Sequence, residues 1–195
     1  MLTFEEHLAK AAALHGHLCA GQVIGVRMAR RGCIELGVDP DDGADRRRLI
    51  VYVEVDRCAA EALASVTGCK LGKRTLKFVD YGKVAATLVD RRTGRAVRVL
   101  AREDARDKVS AYCDGTCETP QAQLIAYQKM PDDELLIVQR VKVDIPPQDL
   151  PGRPLRRVTC EVCGESVSDG REVSVNGRTL CRACAGKPYY RISDF

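Results

Sequence analysis

Four cysteines near the C-terminus constrain this chain most strongly. Cys160-Glu-Val-Cys163 and Cys181-Arg-Ala-Cys184 are two C-x-x-C pairs separated by 17 residues. A two-residue spacer bends the backbone so that both sulfurs of a pair reach one ion. Tetrahedral Zn2+ takes four such thiolates at about 2.3 Å. Gly164 follows the first pair, where the turn needs a positive φ. Between the pairs, residues 171–175 and 178–180 flank Asn176-Gly177, a type I′ hairpin signal. The second pair opens a short helical segment, stopped by Gly186 and Pro188.

Turn, hairpin, turn and helix together resemble a treble-clef or zinc-ribbon finger. The expected cofactor is structural Zn2+ held by Cys160, Cys163, Cys181 and Cys184. Ahead of this tail, residues 145–154 read I-P-P-Q-D-L-P-G-R-P, with four prolines and a glycine. Proline removes amide donors and disfavours helix before it, so the stretch reads as a stiff linker. The expected division is a domain over 1–145, a linker over 146–155 and a finger over 156–195. A tail of that size needs a staple, because its apolar core alone is too small.

The charge balance, 31 basic against 27 acidic residues, is too even to imply nucleic-acid binding. Residues 151–195 carry eight basic and five acidic side chains, a charge of +3. Four thiolates with one Zn2+ would contribute −2, so the finger reads as a structural or protein-contacting element. No apolar run approaches the roughly 20 residues of a membrane helix. The opening MLTFEEHLAK has two acids and no basic n-region, so a cytoplasmic protein is expected.

The body reads as α+β, a mixed β-sheet covered by helices. Thr3 and Glu6 form a capping-box pattern for a first helix running towards Leu14. A second helical stretch starts near Leu18 and ends at Gly37. Residues 48–55 alternate as a strand, and Asp56 reads as the N-cap of a helix over 58–66. Residues 75–81, 84–90 and 96–100 read as strands, the last two joined by a turn at 91–94. Residues 101–129 read as mostly helical with a break near Gly115, before a last strand over 135–143.

A second group of soft donors lies in His15-Gly-His-Leu-Cys-Ala-Gly21. Imidazole and thiolate are the usual borderline-soft ligands. On a continuous helix His15 and Cys19, at i and i+4, share a face. A break at Gly16 with a restart at Leu18 instead lets His17 and Cys19 converge at the new helix's N-terminus. Cys58, in the first turn after Asp56, is the expected further member, since the helix dipole there favours thiolate. Cys69 and Lys73 sit in the glycine-punctuated Thr67-Gly-Cys-Lys-Leu-Gly-Lys73, a loop that could meet an anion. Three protein ligands would leave an open metal position. His7 reads as an exposed helix residue and Cys33 as packing. Cys113 and Cys117 form a weaker pair, with three residues between them.

These elements resemble the FmdE family, named for formylmethanofuran dehydrogenase. The matching residues are His15-Gly-His-Leu-Cys-Ala-Gly-Gln-Val-Ile-Gly25, Asp56-Arg-Cys58, Thr67-Gly-Cys69, Gly72-Lys73, Lys77-Phe-Val-Asp-Tyr-Gly-Lys83 and Pro131-Asp-Asp-Glu-Leu135. The resemblance implies an α+β domain related to the second domain of glyceraldehyde-3-phosphate dehydrogenase, and a homodimer. It implies metal or active-site roles for His17, Cys19 and Cys58, and less directly for His15, Cys69 and Lys73. Gly72-Lys-Arg-Thr75 departs from the family's Gly-Lys-Gly-Asn, which puts an anion site at Lys73 in doubt. The first functional expectation is a metal-binding protein serving molybdenum, tungsten or other metal metabolism. The alternatives are formyl-group one-carbon chemistry, with Cys58 as nucleophile, and a zinc-finger regulator or adaptor.

Overall fold

Thr3 starts the first helix, α1 (Phe4–His15), through a complete capping box: the Glu6 amide donates to Thr3 Oγ1 at 3.1 Å and the Thr3 amide donates to Glu6 Oε2 at 2.8 Å. The computed structural model describes residues 1–113 and 119–193, in two units, Met1–Asp144 and Ile145–Phe195. In the first unit α1 ends at Gly16, whose φ of +93° reverses the chain. The next helix, α2 (Ala20–Leu36), takes Cys19 as its N-cap and ends at Gly37 in the left-handed region. A short helix, α3 (Gly43–Arg46), which the sequence did not suggest, is capped by the Asp42 carboxylate.

The sheet follows. Strand β1 (Leu49–Val53) leads into α4 (Cys58–Thr67), then β2 (Leu76–Phe78), β3 (Ala85–Asp90) and β4 (Ala96–Ala101). After α5 (Thr119–Lys129) and the turn-like α6 (Asp132–Leu135), β5 (Leu136–Val141) completes the sheet. The order is β2-β1-β3-β4-β5, with β1 and β2 parallel and the remaining pairs antiparallel. This is the expected mixed sheet. Residues 103–105 and 109–111 are 3-10 turns, where the sequence suggested mostly helix. Cys117 lies outside the described residues.

Close helix packing sets the site. A Cβ on Gly25 would lie 2.5 Å from the Ala59 carbonyl oxygen and 2.7 Å from the Ala62 Cβ. Gly21, one turn earlier, would meet the Cys58 Cβ at 3.0 Å. Bare α carbons at these positions therefore let α2 and α4 touch backbone to backbone. Gln22 is fully buried beside them and donates through Nε2 to the Cys58 carbonyl at 2.8 Å. His7 is not exposed as expected but 2% accessible, because α1 turns His7, Leu8 and Ala11 inward. Its ring is held by Asp41 at 3.2 Å and Arg30 at 2.8 Å, and burial pushes its pKa down.

The second unit contains the hairpins β6 (Arg157–Thr159) with β7 (Ser166–Ser168) and β8 (Val173–Val175) with β9 (Arg178–Leu180). Asn176-Gly177 forms the second turn, with φ of +51° and +78°. The proline-rich stretch carries local structure. Pro147–Asp149 makes a 3-10 turn, and Asp149 pairs with Arg171.

Candidate metal centre

In the second unit the sulfurs of Cys160, Cys163, Cys181 and Cys184 all lie within 4.8 Å of one another, and all four are free thiols. Each sits where the C-x-x-C turns place it: the Gly164 amide donates to the Cys160 carbonyl at 2.9 Å, with φ of +75° at Gly164. The Cys184 amide donates to Cys181 Sγ at 3.4 Å. Amides of Cys163, Cys181 and Val162 converge on Cys160 and pull its thiol down to about 6. Neighbouring cysteines, Cys181 foremost, push Cys184 up to about 12. Four thiolates this close repel one another, so a divalent cation is what allows all four to lose their protons. Donor chemistry and spacing fit tetrahedral zinc, which would brace this small unit.

In the first unit the ligand atoms of His15, His17 and Cys19 likewise lie within 4.8 Å of one another. Gly16 is the cause. Its left-handed turn ends α1 just after His15, so His17 and Cys19 fold back beside the last turn of that helix. The two imidazoles lie with centroids 4.5 Å apart, their planes tilted by 39°. His15 Nδ1 lies 2.6 Å from Glu61 Oε2 on α4. An ionised carboxylate only accepts, so the neutral ring carries its proton on Nδ1 and keeps its lone pair on Nε2. That Nε2 is buried and has no hydrogen-bond partner among the described residues. A borderline-soft cation is a partner that an orphaned imidazole nitrogen in a histidine–cysteine group would accept.

Glu61 was not singled out in the sequence. It is the acid three residues into α4 after Cys58, a position that ordinarily reads as a dipole-favoured surface charge. Its link to His15 spans 46 residues and exists only because α1 packs on α4.

Cys58 stands beside the group without completing it. The sulfurs of Cys19 and Cys58 would each be 3.7 Å from a Cβ placed on Gly21. Burial, and then the Cys19 thiol, push the Cys58 thiol up, against the expectation that the start of α4 favours thiolate. The N-cap of that helix is Arg57, not Asp56, and it makes no side-chain cap. Cys69 does not join the group. It is 2% exposed in the core, its Sγ 3.7 Å from the Leu49 carbonyl, because Gly68 ends α4 in the left-handed region and turns the chain inward. Lys73 is exposed on the 3-10 turn Leu71–Lys73 and is not among the residues lining either cavity that Cys58 borders. Cys33 is fully buried, its thiol pushed up to about 12 by burial.

The larger of those cavities is about 540 Å³ and reaches His15, Glu61 and Cys58 on one side. Its remaining walls include Val53, Val55, Leu71, Leu76 and Phe78, with Ala64 on the α4 side. The smaller, about 210 Å³, is bordered by Arg57, Arg102 and Arg106. No helix among the described residues is long and apolar enough to cross a membrane.

Fold and donors together define an α+β protein with a mixed sheet and an attached four-cysteine zinc finger. The chain belongs to the family described as FmdE, molybdenum formylmethanofuran dehydrogenase operon, whose family model matches residues 14–137. Residues 153–190 match the prokaryotic dksA/traR C4-type zinc finger. The fold is similar to the crystal structure of a tungsten formylmethanofuran dehydrogenase FmdE-like protein from Syntrophus aciditrophicus, with a TM-score of 0.64 and 22% identity over 97% of this chain and 96% of that one. The sequence is 29% identical to a probable S-adenosyl-L-methionine-binding protein of Archaeoglobus fulgidus, over 95% of this chain. The chain spans 54% of the length of that relative.

Proposed function

We propose that this is a two-site metal-binding protein, with a structural zinc in the finger and an exchangeable soft metal held by His15, His17 and Cys19, serving the metabolism of metals such as molybdenum or tungsten. One observation carries the reading: His15, His17 and Cys19 each offer a ligand atom within 4.8 Å of the others, while His15 Nε2 is buried without a hydrogen-bond partner among the described residues and Nδ1 of the same ring lies 2.6 Å from Glu61. Such a carboxylate–histidine pair sets the tautomer and raises the basicity of a metal ligand. Three protein ligands leave a position for water or substrate, so the site suits handling a metal or polarising a bound group. The finger, with its near-even charge, suits contact with protein more than with nucleic acid.

Elemental analysis tests the reading. The intact protein is expected to hold two metals per chain and the Cys19→Ser variant one. Equal metal content in both would overturn the second site.

A second reading, formyl-group chemistry at Cys58, is favoured by the position of Cys58 on the walls of both cavities. Alkylation separates the two. Protection of Cys58 by added metal supports binding, whereas protection by a formyl donor alone supports catalysis.

A further inference from the structure

We infer that the 540 Å³ cavity beside His15 is a binding site for a small organic ligand with an apolar body and one soft donor atom, a ligand that completes the coordination of the metal in the first unit. The inference rests on the metal reading above.

The volume is in the range of cavities that hold a cofactor-sized molecule, and its composition is that of such a site: mostly apolar walls with a few convergent polar groups. The space exists for a local reason. Ala60 and Ala64 are one turn apart on α4, and their short side chains leave open the gap that Val53, Val55, Leu76 and Phe78 bound on the sheet side. Two wall residues, Leu71 and Phe78, are 67% and 46% exposed, apolar surface that a seated ligand would cover.

The polar side of the cavity fixes the ligand's donor. Of the three residues grouped for metal binding, His15 is the one that also lines the cavity, so the cavity reaches the metal group on the side of His15. Asp56 and Glu61 also border it, and Arg57 is the one basic residue there. A second carboxylate brought next to Glu61 would be repelled. A neutral aromatic nitrogen or a thiol suits a histidine–cysteine metal and avoids that repulsion.

The test uses the full-length protein loaded with cobalt(II), whose visible bands report coordination. Subtracting the spectrum of Cys19→Ser removes the cobalt in the finger. Two probes are titrated: 4-phenylimidazole, which has donor and body, and imidazole, which has the donor alone. The expected result is a shift of the cobalt bands by both, with 4-phenylimidazole binding at least about tenfold more tightly through burial of its ring. Ala64→Leu, which fills the cavity at a residue outside the metal group, should abolish that advantage while leaving the cobalt bands unchanged. Leu71→Ala, at an exposed wall residue whose loss does not threaten folding, should reduce it severalfold.

Equal affinity for the two probes, with the cobalt bands intact, would overturn the inference and leave the metal reading standing. A 4-phenylimidazole advantage that survives both variants would overturn it as well, as would apolar walls covered by a second copy of the chain, seen as a dimer that Leu71→Ala dissociates. A difference spectrum with no cobalt bands would overturn the metal reading and this inference with it.

Discussion

Nδ1 of His15 and Oε2 of Glu61 lie 2.6 Å apart, joining the end of the first helix to the first turn of α4. With Glu61 accepting, Nδ1 of His15 is the donor and its buried Nε2 is left with a lone pair, in a residue grouped with His17 and Cys19. Glu61→Gln keeps the shape and removes the charge. It is expected to weaken metal binding in the first unit by about 10–100-fold without changing the number of metals bound at saturation. Competition against a chromophoric chelator measures this, and unchanged affinity would remove Glu61 from the site.

The close contact of α2 and α4 gives a stability prediction. Gly25→Ala places a methyl 2.5 Å from the Ala59 carbonyl oxygen, and neither helix backbone can yield freely. Overpacking of this kind costs about 1–3 kcal/mol, which urea unfolding would read as a lower midpoint at constant slope.

Asp90 is fully buried and accepts two bonds from Arg48, at 2.8 and 2.7 Å, and one from the Thr93 hydroxyl at 2.8 Å. Arg48, first among these groups, holds the Asp90 carboxyl well below the usual carboxylate range. The folded value therefore lies below the unfolded one. The contribution is full above about pH 4, the unfolded carboxylate value, and is lost as the pH falls towards the folded value. Asp90→Asn is expected to cost about 3 kcal/mol at pH 7. Its penalty should be smaller at pH 3, so equal penalties in urea unfolding at the two pH values would contradict this account.

The finger prediction concerns order. Cys163→Ser leaves three thiolates and is expected to release the finger zinc on mild chelation. Hydrogen exchange at residues 157–180 should then rise to that of an open chain. Retained protection would show that the hairpins stand without metal.

Much of this was legible in the sequence, because the signals were local. The C-x-x-C pairs specify their own turns, and Thr3, Gly16, Gly37 and Gly68 end or begin helices where their chemistry requires. The errors arose where tertiary packing decided. Cys69 reads as a loop thiol next to two lysines, yet the chain turns it into the core. His7 reads as surface until Asp41 and Arg30 close over it. Residues 101–113 have helical composition, yet Ala101 ends β4 and the regular helix that follows is limited to 3-10 turns at 103–105 and 109–111. Glu61 carries no local mark at all, since its role is fixed by a residue on another helix.

An anomalous difference map at the zinc edge, from crystals of protein grown without chelator, tests the central claim most directly. Two peaks per chain are predicted. One should lie among the four finger sulfurs, and the other within about 2.0–2.3 Å of His15 Nε2, a nitrogen of His17 and Cys19 Sγ. A single peak in the finger, with His15, His17 and Cys19 bonded to no metal, would contradict it.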